Sequence, residues 1–171
     1  MNIQETNYGK VPVDYVIIQG MLPDIDFKYF KEEIDKGVVQ DNNKNYKTNV
    51  KGLMTNWTYF NNNNKFLNLL SPIIEFIKSF KKISRCGLHS SWGIKENFND
   101  FTAEHDHIPG YLSGIIYFEN HEQALHFPEI NISIKPEKNK FLIFSSFLKH
   151  KTKKNVLKKC KYAISFNLQA F

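Results

Sequence analysis

The 171-residue sequence predicts an α+β fold that is mainly β, with helices in the first half and an antiparallel sandwich or barrel after them. Three observations carry this. Apolar residues recur at three- and four-residue steps up to about residue 80, and the period changes from residue 83. Short strand-like runs then follow one another with turn signals between them and no alternation of strand and helix. The chain can also fill a core, since 42% of its residues are hydrophobic and 15 are phenylalanine.

Taken in order, residues 14–19 (Asp-Tyr-Val-Ile-Ile-Gln) read as a first strand, broken by Gly20 and Pro23. Asp24 is placed to cap a helix over about 25–36, with Ile25, Phe27, Phe30 and Ile34 as its apolar face and Gly37 as its stop. Residues 38–56 are polar and irregular, with a strand near 56–60. A second helix spans about 65–80, where Phe66, Leu69, Leu70, Ile73, Ile74 and Ile77 form one stripe. Pro72 falls inside it and predicts a kink or two short helices. The asparagine-rich stretches 41–45 and 61–64 read as loops without function. Strands follow at about 83–96, 111–118, 125–127, 131–135, 140–145 and 161–168, with 98–102 turning between the first two. No repeat or linker divides the chain. One domain over 1–171 is expected, residues 1–82 supporting a core of about 83–171.

No apolar run approaches the roughly 18 residues of a membrane span, and Met1–Thr6 is not a secretory start, so no membrane association and a cytoplasmic location are expected. Cys86 and Cys160 match no metal-binding or CxxC spacing and read as free thiols in or near the core. The formal charge is +6 and the pI about 9.2, compatible with an anionic partner. Lys149, Lys151, Lys153, Lys154, Lys158, Lys159 and Lys161 crowd one segment, as a solvated loop or as a face for nucleic acid.

The chemistry concentrates in Glu104-His105-Asp106-His107 and in His150, which ends the segment 141–150. Residues i and i+2 of a strand share a face, so His105 and His107 aim together while Glu104 and Asp106 aim away. A histidine pair on one strand with a third histidine on a strand folded back beside it is how an all-β scaffold holds a metal. The same residues could instead be surface histidines in a polar loop. His89, His121 and His126 read as ordinary polar or core histidines.

Residues 90–168 resemble the iron- and 2-oxoglutarate-dependent dioxygenases, and within them a group of small phage and bacterial proteins. The segments stand in the family's order: His105-Asp106-His107, then 113–118 (Ser-Gly-Ile-Ile-Tyr-Phe), 125–128 (Leu-His-Phe-Pro), 134–137 (Ile-Lys-Pro-Glu), 141–146 leading to His150, and 161–167 (Lys-Tyr-Ala-Ile-Ser-Phe-Asn). The resemblance implies a double-stranded β-helix, or jelly roll, with two or three N-terminal helices packed on one sheet. It also implies an Fe(II) site of His-x-Asp/Glu with a distal histidine, which maps His105 and His150 as ligands. His107 fills the carboxylate position, a departure that leaves the metal one negative charge short. His107 is the first choice as third ligand, with Asp106 as the alternative. The catalytic set is therefore His105, His107 and His150.

The family pairs the far carboxylate of 2-oxoglutarate with a basic residue on the last core strand. That position maps to Lys161, eleven residues after His150, where the group more often has arginine. Lys161, Ser165 and Asn167 share one strand face with Ala163, and Ser113 and Tyr117 share one on another strand. These five polar residues are the expected co-substrate pocket, although Tyr117 could equally be core. Trp92 could flank the mouth but fits the core as well. The implied reaction uses O2, decarboxylates 2-oxoglutarate to succinate and hydroxylates an unidentified protein, nucleic acid or small molecule. Two other readings remain: a cupin-like metal-binding jelly roll without 2-oxoglutarate, and a non-enzymatic basic module that binds nucleic acid. The sequence leaves the oligomeric state open.

Overall fold

The structure is a computed structural model that describes residues 1–11, 13–40, 48–81 and 84–170. Strands β1 (Asn2–Val11) and β2 (Val13–Met21) come first, then helix α1 (Phe27–Gln40), the short strands β3 (Val50–Lys51) and β4 (Leu53–Met54), and helix α2 (Asn64–Lys81). The second half holds β5 (Cys86–Glu96), β6 (Phe101–Thr102), β7 (Leu112–Tyr117), β8 (Leu125–Phe127), β9 (Ile132–Ile134), β10 (Lys140–Ser145), β11 (Lys151–Thr152) and β12 (Lys161–Ala170). A major sheet runs β1-β2-β10-β7-β12-β5-β4, with every recorded pairing antiparallel. Smaller sheets are β11-β8-β9 and β3-β6.

Alternation along the central strands sorts the side chains into two layers. Val16, Ile18, Phe141, Ile143, Leu112, Ile116, Ile164, Phe166 and Leu168 face the helices and pack with Phe30, Ile34, Phe66, Leu70, Ile73 and Ile77. Ile17, Leu142, Phe144, Ile115, Tyr117 and Ala163 point the other way, against Leu125, Phe127 and Ile134 of the small sheet. The helices thus close the outer face of the major sheet, and its inner face is left to line the space between the sheets. This is the jelly roll with helices on one sheet that the resemblance implies, with two α-helices among the described residues.

Several element boundaries differ from the sequence reading for local reasons. Gly20 does not end the first strand, which continues to Met21. A Cβ there would lie 2.4 Å from the Phe141 ring and 2.5 Å from the Asn2 carbonyl, so glycine is used for close approach within the sheet. The cap of α1 is Asp26 and not Asp24: its Oδ1 accepts the Tyr29 amide at 3.1 Å. Gly37 lies inside α1, where Thr55 and Tyr59 crowd it. No strand forms over 56–60, which are turn residues. Pro72 sits within one continuous α2. Strand β1 was not foreseen, and residues 41–45 and 83 lie outside the described residues.

The asparagines at 61–64 have structural work after all. Asn63 Oδ1 accepts the Phe66 amide at 3.0 Å and caps α2, while its Nδ2 donates to Tyr29 Oη at 2.8 Å. Asn61 bonds β5, accepting from Ser91 Oγ and donating to the His89 carbonyl. Asn63→Ala is expected to lower stability by about 1 kcal/mol, read as a shift of the urea midpoint at constant slope.

Candidate metal centre and adjoining cavity

Residues 103–110 form no long strand, yet the backbone around the histidine pair is zipped to the segment before His150. His105 N donates to the His150 carbonyl at 3.1 Å, His150 N donates back to His105 O at 2.9 Å, and His107 N donates to Ser146 O at 2.8 Å. This isolated antiparallel bridge brings the three side chains together. Ring centroids lie 4.4 Å apart for His105 and His150, 4.8 Å for His105 and His107, and 5.1 Å for His107 and His150. One donor atom from each ring falls within 4.8 Å of the others, a cluster that could hold a metal ion.

Second contacts decide which nitrogens are free. His105 Nδ1 lies 2.8 Å from the Ala103 carbonyl, and His150 Nδ1 lies 2.9 Å from the Leu148 carbonyl. A carbonyl can only accept, so each Nδ1 carries the proton and each Nε2 keeps its lone pair. Backbone carbonyls orient metal-binding histidines in this way. The walls are apolar, with Phe144 at 4.7 Å and Phe127 at 5.9 Å from His150, and Trp92 at 5.9 Å from His107.

Burial holds all three imidazoles neutral. Desolvation is the leading cause at each, taking His107 down to about 3 and His105 and His150 below the usual histidine range. The neighbouring imidazoles add to this at His107 and His150, and the Asp106 carboxylate opposes it at His105 and His107. Neutral imidazole is the form that binds a metal. It also makes the metal-free protein acid-labile. Below about pH 6.5 the unfolded chain binds protons that the folded chain refuses, so stability falls as pH falls. From pH 6.5 to pH 5 the loss is expected to reach roughly 2 kcal/mol for each histidine that stays neutral. Urea titrations in chelator at pH 7, 6 and 5 check this, and replacing His107 should flatten the dependence.

Glu104 points to solvent and pairs with Lys151 at 2.8 Å, as the strand alternation predicts. Asp106 is half-buried at the rim, and its Oδ1 accepts the Ile108 amide at 3.2 Å. Among the described residues the three-histidine cluster does not include it.

The histidines open into a cavity of about 150 Å³ between the sheets, far more than the roughly 10–15 Å³ a single water needs. Tyr117, Lys161 and Ser165 line it, together with Trp92, Thr102 and Thr152. Trp92 is buried and its Nε1–H has no hydrogen-bond partner among the described residues, a donor left for a ligand. Ser113 and Asn167 share the inner face but are bonded to one another at 2.8 Å. Asn167 also donates to Ser90 Oγ at 3.1 Å and lines an adjoining open groove with Trp57, Ile108 and His107. The cavity and the groove meet at His107, Asp106 and Trp57.

Sequence reasoning missed Glu96. It ends β5 directly opposite Lys161 on β12, is fully buried, and its Oε2 contacts Lys161 Nζ. Its Oε1 accepts from Thr102 Oγ1 at 2.9 Å and from Thr152 Oγ1 at 3.4 Å. Only the β5–β12 register could have exposed this pair, and register is not written in either segment. Of the other lysines in the basic segment, Lys149, Lys151, Lys153, Lys154, Lys158 and Lys159 are exposed, and Lys151 and Lys159 pair with Glu104 and Glu119. Cys86 and Cys160 are free and half-buried.

No protein-family model matches the sequence, and no curated protein matches it. Solved structures do. The viral collagen prolyl hydroxylase vCPH of Paramecium Bursaria Chlorella virus-1, solved as a 2OG complex, aligns with TM-score 0.69 at 17% identity over 92% of this chain and 96% of that one. The non-heme alpha ketoglutarate dependent carbocyclase SnoK from nogalamycin biosynthesis gives 0.70 at 10% identity over 90% and 78%. A Pseudomonas putida prolyl-4-hydroxylase gives 0.67 at 11% identity over 90% and 91%. The chain therefore carries the double-stranded β-helix fold of the 2-oxoglutarate- and iron-dependent oxygenases.

Proposed function

We propose that this chain is, over its whole length, an Fe(II)- and 2-oxoglutarate-dependent oxygenase that hydroxylates a substrate at the expense of O2 and 2-oxoglutarate. The observation that carries the reading is the convergence of three neutral histidines, two of them oriented by backbone carbonyls, on a cavity between the sheets, within a fold shared with such oxygenases. His105, His107 and His150 would hold the iron. The iron, when bound, supplies open coordination positions for the 2-oxo acid and O2, and so the oxidising chemistry.

The chain's own residues do the rest. Ala103 and Leu148 carbonyls fix the tautomers of His105 and His150. Phe127, Phe144 and Trp92 keep the histidine rings in an apolar surround, which strengthens every polar contact made there. Lys161, Tyr117 and Ser165 face the interior of the cavity, where the co-substrate's tail would lie, and Trp92 Nε1–H offers it a donor. The groove beyond His107 would admit the substrate. No helix among the described residues is long and apolar enough to cross a membrane.

The test is anaerobic addition of 2-oxoglutarate to the Fe(II)-loaded protein. A weak visible charge-transfer band, followed by succinate formation on admitting air, supports the reading. Iron binding with neither band nor succinate sinks it. A specific observation favours a second reading in that case. A three-histidine site and a Lys161 already paired by Glu96 suit a cupin-like metal centre that works without 2-oxoglutarate.

A further inference from the structure

We propose that Glu96 is a specificity-determining residue of this cavity, and that it removes the preference for a 2-oxo acid with a far carboxylate. The inference rests on the oxygenase reading above and concerns which co-substrate the site takes. Among the described residues that line the cavity Lys161 is the one lysine, but it does not stand free. Glu96 is 0% exposed, lies across the β5–β12 ladder from Lys161, and touches its ammonium. Lys161 itself is 5% exposed, so neither charge is relieved by bulk water. Thr102 and Thr152 both donate to Glu96 Oε1, which holds the carboxylate in place beside the lysine.

The far end of the cavity therefore carries a net charge of zero. A ligand carboxylate arriving there would make two anions around one cation, in a region with little water. Like charges at such range repel strongly. A ligand with an uncharged tail meets no such opposition and can still reach the half-buried Ser165 and the Trp92 Nε1–H. Lysine adds to the effect, because its ammonium cannot hold the far carboxylate with the two parallel hydrogen bonds of an arginine fork. Glu96 thus lowers the reward for the second carboxylate of 2-oxoglutarate and leaves its 2-oxo acid end unaffected.

The experiment compares two ligands on the Fe(II)-loaded full chain under anaerobic conditions. One is 2-oxoglutarate, and the other is 2-oxopentanoate, which has the same five carbons without the far carboxylate. Dissociation constants are read from the charge-transfer band and, independently, from ligand-induced shifts in Tm. In the wild type the two constants are expected within about threefold of each other. In Glu96→Gln, 2-oxoglutarate is expected to gain at least about tenfold over 2-oxopentanoate, the scale of one hydrogen bond to a charged group. It should also raise the variant's Tm more than that of the wild type, since it returns an anion to Lys161. Should Glu96→Gln fail to fold, the wild-type ratio alone decides. A wild type that prefers 2-oxoglutarate by a hundredfold overturns the inference and leaves the oxygenase reading intact. So does a variant whose ratio is unchanged. Failure of both acids to bind the iron-loaded wild type overturns the oxygenase reading, and the inference with it.

Discussion

Lys161→Met is expected to destabilise the protein by about 3–5 kcal/mol, although methionine fills much the same volume. The cost comes from the partner left behind. Glu96 is fully buried, and without the ammonium its Oε2 faces the cavity with no counter-charge. Hydroxyl donors at Oε1 soften the loss without supplying a charge. The double variant Lys161→Met/Glu96→Leu should recover most of that stability, because a buried pair replaced as a unit leaves no orphaned charge. Denaturant titration of the two single variants and the double gives the coupling energy directly. A Lys161→Met that is as stable as the wild type would mean that the pair is not closed in solution.

The second large effect concerns the histidines. His150→Ala is expected to weaken Fe(II) or Co(II) binding by at least about 100-fold, beyond the 10–100-fold typical of losing a group that merely supports a ligand. His150 is the most buried of the three and is oriented by the Leu148 carbonyl, so no neighbouring side chain can take its place. His105→Ala should behave alike. His107→Asp is the informative contrast. It restores a carboxylate to the ligand set and the missing negative charge, and it should bind Fe(II) at least as tightly as the wild type. Isothermal titration under anaerobic conditions reads all three. If His107→Ala retains wild-type affinity while Asp106→Ala loses it, the third ligand is Asp106.

What the sequence revealed and what it hid divide along physical lines. The strands 125–127 and 140–145 were legible to the residue, because short apolar runs between turn residues leave a local signature. The stripe of α2 was legible for the same reason at period 3.6. The helix starts were misread where two candidate caps stood close together. Asp24 and Asp26 are both good caps, and only the Tyr29 amide contact separates them. Gly20 and Gly37 looked like stops, but each accommodates a ring from a segment distant in sequence, which no local rule can detect. The histidine cluster was legible because its spacing is short and its third member ends a strand-rich run. Glu96 was not, because its meaning depends on the register of β5 against β12. Ser113 and Asn167 were placed on the correct face, but how far along it the cavity extends was beyond reach.

The most direct test of the metal centre is an anomalous-difference map at the iron edge from crystals of the Fe(II)-loaded protein grown without oxygen. A single peak about 2 Å from Nε2 of His105 and His150 and from a ring nitrogen of His107, with each Nδ1 of His105 and His150 still on its backbone carbonyl, is the predicted result. No peak among the three rings, or a peak held by Asp106 with His107 turned away, would contradict it.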